Sequence, residues 1–117
     1  MTMQIQMASY MERGFQLPNV CESHTYFFVR SRGVYHVCAL GTAILGKLGD
    51  EGQNLIAVWN DTRRKAITIP RPISYLRLAS DLLGIDYALA EAVDREHMKG
   101  KSITRIIRQL RTEMFAV

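Results

Sequence analysis

The segment Val37–Leu48, VCALGTAILGKL, constrains the fold more than any other part of the chain. It carries one charge, Lys47, in twelve residues. Four positions are alanine or glycine (Ala39, Gly41, Ala43, Gly46), so neighbouring backbones can come close. Such a stretch reads as a helix buried on most sides, with Lys47 reaching solvent at its end. It is too short to cross a bilayer, which takes ~20 apolar residues, and Arg30 and Arg32 interrupt the apolar run before it.

The elements before that helix read as follows. Met3, Met7 and Met11 recur every four residues beside Ala8, giving an amphipathic helix that ends before Gly14, which suits a helix C′ position. Phe15–Ser23 contains Pro18 and reads as a loop. Thr25–Arg30 and Val34–Cys38 are aromatic and β-branched runs on either side of a glycine-containing turn, the signature of a hairpin. A turn of three residues, Ser31–Gly33, puts His24, His36 and Cys38 on one face, whereas a turn of two sends His24 to the other.

Beyond the central helix, Asp50–Gln53 reads as a capped helix start, with Leu55, Val58, Trp59 and Thr62 along one face. The competing reading makes Leu55–Trp59 a strand. Ala66–Ile69 reads as a third strand, stopped by Pro70 and Pro72. Three helices then follow. Ile73, Leu76, Leu83 and their apolar neighbours form one face, ended by Gly84. Asp86 caps the next helix, whose inward residues are Leu89, Val93 and His97, ended by Gly100. Ser102 caps the last, with Ile103, Ile106, Ile107, Leu110 and Met114 along one side. The expected architecture is a single α+β domain over residues 1–117: a small antiparallel hairpin or three-stranded sheet packed on four to five helices.

The chain has 117 residues, 48% hydrophobic and 22% charged, which supports a core without staples. Two cysteines, Cys21 and Cys38, do not make a disulfide framework, and the N-terminus lacks the basic start and apolar run of a signal peptide. The expectation is a cytoplasmic protein with free thiols. The net charge of +4 is modest, but the charge is segregated. Arg63–Arg77 and Lys99–Arg111 each hold five basic residues and no acid, while Asp81–Glu96 holds five acids against Arg95. Lys99, Lys101, Arg105, Arg108 and Arg111, with Arg63, Arg64 and Lys65, are therefore the candidates for contact with a partner or with nucleic acid. The competing view is that the segments pair with one another or are solvated.

Chemistry-bearing motifs are few. Ser80, Gly84 and the apolar residues around them have helix-turn-helix spacing, but the reading helix would present Asp86, Glu91, Asp94 and Glu96 to a polyanion. Cys21, His24, His36 and Cys38 are residue types that bind Zn²⁺, yet their spacing matches no common zinc module, so no metal or other cofactor is expected. His97, between Val93 and a turn, reads as a partly buried, satisfied histidine. No phosphate loop, nucleophile elbow or paired carboxylates stand out, so no catalytic residues are expected and the chain does not read as an enzyme.

The run Val37-Cys-Ala-Leu-Gly-Thr-Ala43, preceded by Tyr26-Phe-Phe and a glycine turn, resembles a group of small bacterial and phage proteins. In these an aromatic hairpin leads into a Cys-Ala-Leu-Gly-Ala-Ala helix. The C-terminal helix, glycine turn and helix at His97-Met-Lys-Gly-Lys-Ser-Ile103 are similar to theirs as well. The resemblance covers roughly a third of the chain and implies a fold type without an activity. This sequence departs from it at Thr42 and in its basic last helix. The functional expectation is a non-enzymatic binding or adaptor module with a protein partner or a second copy of itself, not a membrane protein. The alternatives are a nucleic-acid-binding protein using the basic C-terminal helix and, third, a zinc-binding or thiol enzyme.

Overall fold

The computed structural model describes residues 2–49, 51, 52, 54 and 75–115. These form five helices and a three-stranded sheet: α1 (Met3–Phe15), β1 (Val20–Glu22), β2 (Phe28–Ser31), β3 (Val34–Val37), α2 (Ala39–Leu48), α3 (Tyr75–Leu83), α4 (Tyr87–Met98) and α5 (Ile103–Arg111). The fold is α+β, as expected. Asp50 and Gln53, all of Leu55–Trp59 and Ala66–Ile69, and the cations Arg63, Arg64 and Lys65 lie outside the described residues.

Helix α2 is the centre. Every residue from Ala39 to Gly46 is buried, including Thr42, whose hydroxyl donates to the Cys38 carbonyl at 2.8 Å. Its small residues admit backbone on two sides. A Cβ on Gly41 would lie 2.1 Å from the Phe27 carbonyl oxygen, and one on Gly46 would lie 1.8 Å from that of Tyr10. Tyr10 belongs to α1, which crosses α2 where Gly14 meets Thr42: a Cβ on Gly14 would lie 2.0 Å from the Thr42 carbonyl oxygen. Gly14 therefore does not end the first helix. It sits inside α1 and is required by helix–helix approach.

Lys47 also departs from expectation. It does not simply reach solvent: its Nζ donates to the Leu82 carbonyl at 2.8 Å and lies 5.6 Å from the centre of the Tyr10 ring. One of the carbonyls left open at the end of α3 is thereby satisfied by a cation from α2.

The sheet has the order β1-β3-β2, with β2 antiparallel and β1 parallel to β3. Ser31 pairs with Val34, so the hairpin turn is the two residues Arg32 and Gly33, both at positive φ (52° and 78°). That is the turn whose twist suits a hairpin, and glycine supplies half of it without strain. The third strand is Val20–Glu22, inside the segment read as a loop. It is three residues long and takes its hydrogen bonds from a partner distant in sequence, so no local pattern announces it. The expected first hairpin strand is shorter than its aromatic run. Ser23 Oγ accepts from the amides of Thr25 and Tyr26 at 3.1 and 3.0 Å, a local turn that delays the strand to Phe28.

Helices α3, α4 and α5 end at the expected glycines or begin after the expected caps, with Ile73 outside the described residues and Asp86 at the N-cap of α4 without a side-chain hydrogen bond. Gly84 and Gly100 adopt positive φ, and Ser102 accepts the Arg105 amide at 3.2 Å. Ile103, Ile106, Ile107 and Leu110 are buried, but Met114 lies beyond the end of α5 and is exposed. Among the described residues no helix is long and apolar enough to cross a membrane.

Candidate functional site

Two polar groups are buried on the inward face of α4, and both look toward the segment between β1 and β2. The first is Asp94, 9% exposed. The helical period places it with Ala90, Val93 and His97 on the side that faces the core. It therefore does not belong to the solvated acidic face to which its neighbours Glu91 and Glu96 belong. Tyr75, at the start of α3, donates its hydroxyl to Asp94 Oδ2 at 2.7 Å, and Asp94 accepts no other hydrogen bond among the described residues. Burial, then the hydrogen bond to this carboxylate, holds the Tyr75 hydroxyl well above the usual phenol range.

Asp94 and Tyr75 line a half-open cavity of about 350 Å³. Its walls are mainly aromatic and sulfur-bearing, from Phe27, Phe28, Cys38 and Met98, with His24 and the exposed Tyr26 also bordering it. Phe27 packs on Tyr75 with ring centres 5.4 Å apart. Cys38 is buried at the start of α2, and burial pushes its thiol up to about 12, which keeps it protonated near neutral pH. Among the described residues Asp94 is the only one lining the cavity that carries a formal charge when His24 is neutral, and none is a lysine or arginine.

The second buried group is His97, with no exposed surface. Its Nε2 lies 2.8 Å from Glu22 Oε2, while its buried Nδ1 has no partner among the described residues. Glu22, on the missed strand β1, also accepts the Ile103 amide at 3.3–3.4 Å, so one carboxylate joins β1, α4 and the N-terminus of α5. His24 stacks on His97 with ring centres 4.1 Å apart. Its Nδ1 lies 3.0 Å from the His97 carbonyl oxygen and its Nε2 lies 3.5 Å from Glu22 Oε2.

The sequence candidates are distributed differently from these groups. Of Cys21, His24, His36 and Cys38, only His24 enters the carboxylate–histidine cluster. Cys21 is exposed on β1 and pairs in register with His36 of β3, and Cys38 sits in the core. The basic residues of the last helix are partly spoken for. Arg111 pairs with Glu12, and Lys101 bridges Glu96 at 3.2 Å and Gln109 at 3.0 Å. Lys99, Arg105 and Arg108 are exposed and make no ion pair among the described residues. Asp94 could have been found in the sequence, because its spacing from Ala90 and His97 marks an inward position. Glu22 gave no such signal, since its strand was invisible. Comparison with protein-family models, with curated proteins and with solved structures returned no match.

Proposed function

We propose that this domain is a binding module whose cavity receives a basic group, the side chain of a lysine or arginine on a partner protein. The observation that carries this reading is Asp94: a carboxylate nine-tenths buried, with one neutral donor among the described residues, at a cavity whose other walls are mainly aromatic and sulfur-bearing. Removing a carboxylate from water costs several kcal/mol unless cations or several donors replace the lost hydration. One tyrosine hydroxyl replaces only part of it. A guanidinium or ammonium entering the cavity would complete the pairing, and the rings of Phe27, Tyr26 and Tyr75 offer it aromatic faces.

The test is a titration of isotopically labelled protein with short arginine- and lysine-containing peptides, followed by backbone amide shifts. Shifts at Phe27–Val29 and around Asp94 that disappear in Asp94→Asn support the reading. Equal shifts with an acidic peptide, or none with a basic one, reject it.

A second reading, nucleic-acid binding, draws on the exposed flank of α5. Arg105 and Arg108 project there beside the isoleucine stripe, with Lys99 on the turn before the helix. It has fewer free cations behind it than the sequence suggests, because Lys101 and Arg111 are engaged within the chain.

A further inference from the structure

We infer that Glu22, His24 and His97 form a binding site for a divalent transition-metal ion, of which Zn²⁺ is the simplest case. Their ligand atoms all lie within 4.8 Å of one another. Glu22 Oε2 is 2.8 Å from His97 Nε2 and 3.5 Å from His24 Nε2. Two ligands of a tetrahedral zinc, each ~2.1 Å from the ion, stand about 3.4 Å apart, so the two distances bracket what is needed. Two imidazoles and one carboxylate are also a ligand set that zinc accepts with a coordination position left open.

The hydrogen bonding of His24 points the same way. A carbonyl oxygen can only accept, so the contact with the His97 carbonyl fixes a proton on His24 Nδ1. In the neutral ring Nε2 is then a bare lone pair facing a carboxylate oxygen. Two electron-rich atoms so placed are satisfied by a cation between them, a proton on Nε2 or a metal ion. Donation from the other ring nitrogen to a backbone carbonyl is also how metal-bound histidines are commonly oriented.

Two adjustments accompany binding. The stacked rings, inclined by 20°, cannot both hold the ion in plane, so His24 must tilt about its Nδ1 contact with the His97 carbonyl, on the half-exposed side of its ring. His97 must release Nε2 and carry its proton on Nδ1, the buried atom without a partner among the described residues, which lowers the affinity of the site. Glu22 needs only to exchange its imidazole contact for the ion while keeping the Ile103 amide.

The experiment uses the tag-free full chain stripped of metal. Zn²⁺ is titrated against a chromophoric chelator, and Co²⁺ is titrated in parallel by its visible spectrum. One equivalent is expected, with a raised melting temperature that Mg²⁺ does not reproduce. His24→Ala, a change at an exposed position, should weaken binding at least tenfold, and Glu22→Gln should do the same. Cobalt should give the bands of a nitrogen–oxygen site. Unchanged affinity in His24→Ala, or a thiolate-to-cobalt charge-transfer band placing Cys21 or Cys38 on the metal, would overturn the assignment, as would the absence of stoichiometric binding.

Discussion

At the scale of single residues, environment separates groups of the same type. Cys21 is exposed on a sheet edge, while Cys38 is sealed at the start of α2 with its thiol pushed up to about 12 by burial. A thiol-reactive dye should therefore label one cysteine quickly in the folded protein and the second only on unfolding, which mass spectrometry of the modified peptides can verify. The same shift predicts a pH dependence. A thiol whose folded pKa is raised from 9.0 to about 12 retains a proton that the unfolded chain releases, and the Tyr75 hydroxyl, raised from 10.0, behaves alike. Their contribution is fully present below pH 9 and is lost as pH rises through the folded values. Denaturant midpoints should hence fall above pH 9, and Cys38→Ala combined with Tyr75→Phe should flatten that fall. An equally steep fall in the double variant would place the alkaline sensitivity elsewhere.

At the scale of elements, the crossing of α1 and α2 sets the tolerance of the fold to mutation. Backbone meets backbone at Gly14 and Gly46, where even a methyl group has no room. Gly46→Ala should therefore cost about 3 kcal/mol, at the upper end for overpacking, despite alanine's better helix propensity. Gly41→Leu and Ala43→Leu should cost at least as much. Lys47→Met keeps the aliphatic stem but loses the bond to the Leu82 carbonyl, and should cost about 1 kcal/mol. Urea midpoints of these variants check the order. Indifference to Gly46→Ala would mean that the two helices do not cross at their glycines. These elements also show what a sequence discloses. The burial of Ala39–Gly46 was legible from composition, and α3–α5 from their apolar period, their glycine stops and the Ser102 cap, because those signals are local. Gly14 was misread because a glycine at a helix crossing and a glycine ending a helix look the same without the partner. Strand β1 and its Glu22 were illegible because parallel pairing with β3 is a tertiary event. The histidine cluster was hidden for the same reason, whereas Asp94 was concealed only by the acids on either side of it.

At the scale of the whole molecule, the two binding readings divide the surface between a negatively charged cavity bordered by the β1–β2 segment, α3 and α4 and a positively charged flank on α5. Charge placement decides how much each can do. The segregated charges of the sequence are partly neutralised within the fold: Glu12 takes Arg111, Glu96 takes Lys101, and Glu91 lies 3.9 Å from Arg95. What remains for a polyanion on this side is Lys99, Arg105 and Arg108. Three phosphate contacts imply that log affinity falls with log salt with a slope of about −3, far shallower than the slope of about −10 for a strong duplex binder. Raising salt fourfold would still weaken binding by about sixtyfold, so a contact of this size disappears near physiological ionic strength. The expected result of an anisotropy titration with unspecific DNA and RNA is weak binding at low salt, abolished by Arg105→Ala with Arg108→Ala. The same pair of changes should leave the response of the cavity to basic peptides intact, because neither residue borders it. A slope much steeper than −3 would require more cations than α5 supplies; if Arg63→Ala, Arg64→Ala and Lys65→Ala together brought it back to that value, the second basic segment would be part of the same surface and nucleic acid would become the leading partner.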